Sequence, residues 1–280
     1  MILIFFVVLF SLLPFQTLYS EEFEELGEFQ GNENITPAEG FSRAIENARR
    51  KIIEKAGIDI KDVTILSDFQ SQKEVKEYFV NIIRAYSRAV IQDEQVLEKS
   101  VNENWLYKVK LKAKIKLIER ERSLKLEAGV GKPKVGKVEI PVFNSGEEIQ
   151  IWANASEKSW FWIFWTDDKD NVMPLYPVEE IKQKEKMSEL IFPDSEVKKK
   201  FGKLYAEIED ESTHKIEKLF VIATTEDKNL FGLAKIFRER ENKMLKEKEK
   251  EEKLKIYHIF RALSEMDDWD VSVITYEIRK

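Results

Sequence analysis

Apolar residues recur along this chain at two different rhythms, and each rhythm predicts its own kind of element. Phe41, Ala44, Ile45, Ala48, Ile52 and Ala56 follow the three-to-four spacing of a helix and form one stripe. Thr36-Pro37-Ala38-Glu39 marks its start: Thr36 can cap, Pro37 suits the first turn, and Glu39 completes a capping box. Gly57 is placed to end it. The small alanines on the stripe predict close packing against a sheet. A second helix is expected from Ser71 to about Ala85, with Val75, Tyr78, Phe79, Ile82 and Ile83 inward. The rhythm then changes to two. Trp105, Tyr107, Val109, Leu111, Ala113, Ile115 and Leu117 alternate with Lys108, Lys110, Lys112, Lys114 and Lys116, which predicts a strand with an apolar face and a row of ammonium groups. The preceding run, Tyr86 to Glu98, holds Val90, Ile91, Val96 and Leu97 together with Asp93, Glu94 and Glu98. A hairpin around Asn102 to Asn104 sets those acids near the lysines, a favourable cross-strand pairing.

Glu119-Arg120-Glu121-Arg122 interrupts the alternation and reads as a boundary. Beyond it come short apolar runs at Leu124 to Ala128, Lys137 to Val142, Glu148 to Ala153, Trp160 to Trp165, Val172 to Tyr176, Lys203 to Ile208 and Leu219 to Ala223. Turn signals such as Asn144-Ser145-Gly146 separate them. From Leu233 to Met266 a long helix is expected, amphipathic at both ends and charged from Arg238 to Lys253; a last strand runs from Asp270 to Ile278. The expected fold class is α+β. A two-helix, antiparallel-sheet domain over 36–119 precedes a β-sandwich-like domain over 124–280 that carries the charged helix.

The amino terminus changes the picture of location. Ile2 to Phe15 is apolar apart from Ser11 and Pro14, about fourteen residues. That is the length of a signal-peptide core and short of the ~20 residues of a membrane-spanning helix. Glu21, Glu22, Glu24, Glu25 and Glu28 follow, with no Lys or Arg before Arg43, so the acidic side is the translocated one. The expectation is a signal sequence over 1–20, cut near Ser20, then a flexible acidic lead over 21–35. An uncleaved anchor of the same topology is the alternative, and the membrane enters only in that case. The chain is then periplasmic, or otherwise extracytoplasmic in the envelope. With no Cys, disulfides, thiol catalysis and lipid attachment to cysteine are excluded. A charge of −6 from 46 basic and 52 acidic residues is not the profile of a nucleic-acid binder.

Two stretches resemble known families. Ala44 to Ile118, with its alanine-striped helix and lysine-rich closing strand, resembles the N-terminal domain of flagellar assembly protein T and related envelope lipoproteins. Gly146-Glu147-Glu148-Ile149-Gln150-Ile151, Trp160-Phe161-Trp162-Ile163-Phe164, Asp167-Asp168-Lys169-Asp170-Asn171-Val172 and Leu175-Tyr176-Pro177 look like the bacterial domain of unknown function 4384 family. Leu219 to Thr224 and Asp268-Trp269 also fit, while Asn171 stands where that family usually has Gly. This second resemblance implies a fold and an envelope setting, not a reaction.

The inventory for chemistry is short. His214 and His258 are the two histidines, in different elements and without a neighbour at ligand spacing, and each is expected at the surface. Asp167 to Asn171 reads as a hairpin turn, because Lys169 occupies a position where calcium needs an oxygen. Gly129, Gly131 and Gly136 do not lead into a helix that could cradle phosphate, since Lys132-Pro133-Lys134 intervenes. No cofactor, metal or catalytic residue is expected. The candidate binding surface is the row Lys108, Lys110, Lys112, Lys114 and Lys116, weighed against a solvated face paired with acids. Trp152, Trp160, Trp162 and Trp165 could form a sugar-stacking platform. However, Trp160 to Phe164 is apolar on both strand faces, which favours a central strand covered on each side. The expectation is a non-enzymatic envelope protein that binds another envelope protein or a cell-wall component. The alternative is a glycan hydrolase acting through paired carboxylates.

Overall fold

The computed structural model describes residues 20–56, 89–117, 123–131, 140–167, 171–178, 181–208, 212–245 and 253–280. The expected signal sequence (but for Ser20), the second helix over Ser71 to Ala85, the four-charge boundary run, Lys132-Pro133-Lys134 and the centre of the Asp167 turn lie outside them.

The architecture is α+β, with a helix-and-sheet N-terminal part and a curled, mixed half-barrel sheet after it. In the first part, β1 (Ser20–Gln30), β3 (Leu106–Leu117) and β2 (Ala89–Val101) form an antiparallel sheet in the order β1-β3-β2. Helix α1 (Pro37–Lys55) lies across it. The Thr36 hydroxyl accepts from the Glu39 amide at 3.2 Å, as the capping signal requires. The β2–β3 hairpin closes where expected, with the Asn102 side chain accepting from the amides of Asn104 and Leu106.

β1 corrects the expectation of a flexible acidic lead. Phe23 and Phe29 turn inward against the core while Glu22, Glu24 and Glu28 face outward, a strand rhythm hidden by the high acid content. Gly27 lets β1 and α1 approach closely: a Cβ there would lie 1.9 Å from the Ala44 carbonyl oxygen and 2.6 Å from the Ala48 amide. Both obstacles are backbone. Gly27→Ala is therefore expected to destabilise the protein by ~1–3 kcal/mol, measured by urea unfolding. An unchanged midpoint would mean that β1 does not dock on α1.

The second part contains β4 (Leu126–Val130), β5 (Val142–Asn144), β6 (Glu148–Ile149), β7 (Ile151–Thr166), β8 (Val172–Tyr176), β9 (Met187–Phe192), α2 (Ser195–Phe201), β10 (Leu204–Tyr205), β11 (His214–Thr224), α3 (Leu230–Leu245), α4 (Ile256–Ser264) and β12 (Trp269–Arg279). Seven strands form one sheet with the path β4-β7-β11-β12-β5, with β8 and β9 also on β7; β6 and β10 pair separately. Only β12 and β5 run parallel among these pairings.

The expected sandwich is instead this single curled sheet, because two expected strands are one. β7 continues through the polar run Asn154 to Ser159. Its first part pairs with β4 and β9, and its second with β11 and β8. The curl brings β4 to β12, where the Leu126 amide donates to the Asp270 carboxylate at 2.7 Å. Alternation along β7 then buries both faces. Trp162 and Phe164 join a cluster with the helices and β3, whereas Phe161 and Ile163 join another with β4, β9 and Tyr276.

The single long charged helix is likewise corrected. α3 and α4 are separate helices packed on each other, and Lys255 bridges Asn171 before α4 begins. The chain's last element is a strand, as the period over Asp270 to Ile278 predicted. One buried cluster runs from Ala44, Ile52, Tyr107 and Leu111 to Phe237, Ile259, Phe220 and Phe164, so α3 and α4 lie between the N-terminal sheet and the half-barrel.

Candidate functional site

Where α1, β2, α3 and α4 meet, the core holds charge. Arg49 lies four residues after Ile45 on the apolar stripe of α1, and its side chain is fully enclosed. Its Nε and Nη2 donate to the two oxygens of Glu94 at 2.6 and 3.1 Å. Its Nη1 donates to Glu241 at 2.6 Å and to Glu46 at 3.3 Å. Glu241 sits one turn after Phe237 and one before Leu245, so the middle of the charged run has an inward position after all.

Glu94 reaches the cluster by a local device. Gln92 pairs with Lys114 and Gln95 with Lys112, leaving Asp93 and Glu94 opposite the single residue Ala113. Asp93 takes a left-handed φ of 48°. Such a bulge re-aims a side chain. Asp93 stays outside on Lys114 at 3.2 Å, while Glu94 turns inward to Arg49 and to Arg261 Nη2 at 3.0 Å.

α4 supplies the rest. His258 is fully buried, which overturns its expected surface position; α4 is apolar nearly all round and enclosed. The His258 Nδ1 accepts from the Lys255 amide at 3.0 Å, so the neutral ring carries its proton on Nε2, 3.9 Å from Glu241. Ser42 donates to Glu241 and shares a hydrogen bond with the Tyr257 hydroxyl.

Burial works to raise the Glu94 carboxyl, but the Arg49 and Arg261 guanidiniums outweigh it and hold it down to about 2. Glu241 is lowered in the same way, burial being overcome by Arg49, His258 and the Ser42 hydroxyl. Burial pulls His258 down to about 3 against the opposing charge of Glu241, and pushes Tyr257 well up.

A cleft of about 710 Å³ opens beside this cluster. The β2 bulge forms one wall, with Ile91 and Glu94; Phe237, Arg240 and Lys243 of α3 and Arg261 of α4 form the other. The Arg261 guanidinium lies 4.6 Å and that of Arg240 5.6 Å from the Phe237 ring centroid. This is a size that suits an organic ligand.

The candidates expected from sequence fall elsewhere. The lysine row does occupy the outer sheet face. Lys108, Lys110 and Lys112 pair with Glu28, Glu24 and Glu22 of β1 at 2.6, 3.2 and 3.0 Å, and Lys114 pairs with Asp93. Lys116 stands opposite Ser20 and Val90. The acids are thus mostly those of β1, not of the β2 hairpin. The tryptophans do not assemble into a platform. Trp162 is buried with its Nε1 on Thr224, Trp165 bonds Tyr276 on the opposite face, and Trp152 lies over Gly129. Asp167 accepts from Asn171 within the β7–β8 connection, and His214 is exposed. Among the described residues no group of acids and histidines is arranged to hold a metal, and no helix is long and apolar enough to cross a membrane. No family model, curated protein or solved structure matches the chain.

Proposed function

We propose that this is an exported envelope protein that holds a ligand or partner without transforming it, and that the cleft between β2 and α3/α4 is where it does so. The carrying observation is the bulge at Asp93 and Glu94. A left-handed aspartate is a costly way to build a strand, and here it fixes one wall of a ligand-sized space on which guanidinium, aromatic and aliphatic groups converge.

The same cluster argues against turnover. A general acid or base needs a proton affinity near the working pH. Glu94 and Glu241 are held as anions by Arg49, while His258 is held neutral by burial. A glycosidase pair needs one carboxyl raised into its protonated form, and these two are displaced the other way. The envelope setting rests on the apolar amino terminus and on the likeness of Gly146 to Pro177 to the domain of unknown function 4384 family.

The test is site-specific photo-crosslinking in intact cells, from Gln92 and Met244 at the cleft and from Lys110 on the lysine row. A recurrent adduct from the cleft positions supports the reading. An adduct from Lys110 alone moves the binding surface to the lysine row. Hydrolysis of envelope glycan by the purified protein, lost in Glu94→Gln, replaces the reading with the hydrolase alternative.

A further inference from the structure

The cleft has a chemical preference that its geometry makes readable. Three cationic side chains line it: Arg240 and Lys243, both exposed on α3, and Arg261, which is 6% exposed on α4. Three carboxylates line it too, but two are engaged. Glu94 is shared between Arg49 and Arg261, and Asp93 pairs with Lys114. Glu265 alone among the lining acids has no ion pair within the described residues, so the cations exceed the carboxylates left to meet them.

Arg261 carries the sharper signal. Its Nη2 is used by Glu94, but its buried Nη1 has no hydrogen-bond partner among the described residues. A buried guanidinium N–H without an acceptor is costly, and Arg261 is one of the residues that line the cleft. The other walls are apolar: Val90, Ile91, Phe237 and Met244. The guanidiniums of Arg240 and Arg261 both lie within cation–π reach of the Phe237 ring.

We propose that the cleft takes the anionic end of an amphipathic organic ligand, a carboxylate or a phosphate joined to an apolar body. The anion meets Arg240 and Lys243, with the Arg261 guanidinium beside them, and the apolar part lies along Phe237, Met244 and Ile91. Guanidinium groups suit either anion because their paired N–H donors match two oxygens. This inference rests on the cleft being the holding site.

Isothermal titration calorimetry of the chain without its signal sequence tests it, using octanoate, octyl phosphate, octylamine and octanol as matched probes. Saturable binding of one or both anions, with octylamine and octanol weak or silent, is the expected result, and the stronger anion identifies the headgroup. Arg240→Gln combined with Lys243→Gln changes only exposed positions, so the thermal melt should be kept while anion affinity falls about tenfold or more. Equal binding of octanol or octylamine overturns the anionic preference and leaves the cleft as a holding site. Silence of all four probes overturns the preference as well; the crosslinks from Gln92 and Met244 then decide separately whether the cleft holds anything.

Discussion

Replacing Arg49 with alanine is expected to destabilise the protein by ~3–5 kcal/mol, because it strands two carboxylates in the interior. Arg49 is fully enclosed, and Glu94 and Glu241 on it are 7% and 2% exposed. Glu241 cannot turn to water in place, and Glu94 has only the cleft that it lines. Glu94 keeps Arg261 and Glu241 keeps Ser42 and Tyr257, but each loses Arg49, the cation that does most to hold it ionised. The melting temperature should fall by roughly 10 °C or more. Arg49→Met should do nearly as badly, since it restores volume and not charge. Combining Arg49→Met with Glu94→Gln and Glu241→Gln should recover most of the loss, as exchanges of whole buried ionic groups for neutral ones often do. Urea unfolding followed by circular dichroism measures all three. A loss under ~1 kcal/mol for Arg49→Ala, the value of a surface ion pair, would mean that the cluster is open to solvent and that α3 and α4 are not seated on α1.

That cluster also explains what could and could not be read from the sequence. The alanine stripe of α1, the β2–β3 hairpin, the lysine alternation of β3, the two-sided burial of Trp160 to Phe164 and the final strand were all legible, because each is a local period. β1 was not, because five glutamates in nine residues read as a solvated lead; the inward Phe23 and Phe29 were the available signal. The curled sheet was missed because Asn154 to Ser159 is polar enough to look like a loop, although it pairs only in part and still continues β7. The short α2 and β9 were also missed, although Asp194 caps α2 through the Val197 amide at 2.7 Å.

The candidate site was illegible for a deeper reason. Arg49 and Glu241 each fall on an apolar stripe, at i+4 from Ile45 and from Phe237, and a charge on such a stripe was a visible irregularity. Its partner was not visible. Glu94 points inward only because one extra residue enters β2, and strand period alone assigns it no such direction. Residues from four elements separated by up to 215 positions, as Ser42 and Tyr257 are, converge through packing of α3 and α4 on α1, which no single period encodes.

Acid is expected to unfold this protein in two overlapping steps, and His258 should set the first. Its folded proton affinity is lowered to about 3 from an ordinary 6.5 by burial, so the unfolded chain binds the proton more readily. Stability from this group is complete above about pH 6.5 and declines as pH falls toward 3, by at most about 1.4 kcal/mol per pH unit. Protonation has a definite structural consequence: the proton must go on Nδ1, which now accepts from the Lys255 amide, so the entry to α4 loses its hydrogen bond. Glu94 adds a second contribution of the same sign. Lowered to about 2 from 4.5, it stabilises fully above about pH 4.5 and ceases to as pH falls toward 2. Urea midpoints measured from pH 8 to 3 should therefore be level down to about pH 6.5 and then fall, more steeply below pH 4.5. His258→Asn should start from a lower midpoint, having lost buried packing, yet stay level from pH 6.5 to 4.5. The same slope in wild type and His258→Asn over that interval would remove His258 from the acid response and assign the whole of it to the carboxylates.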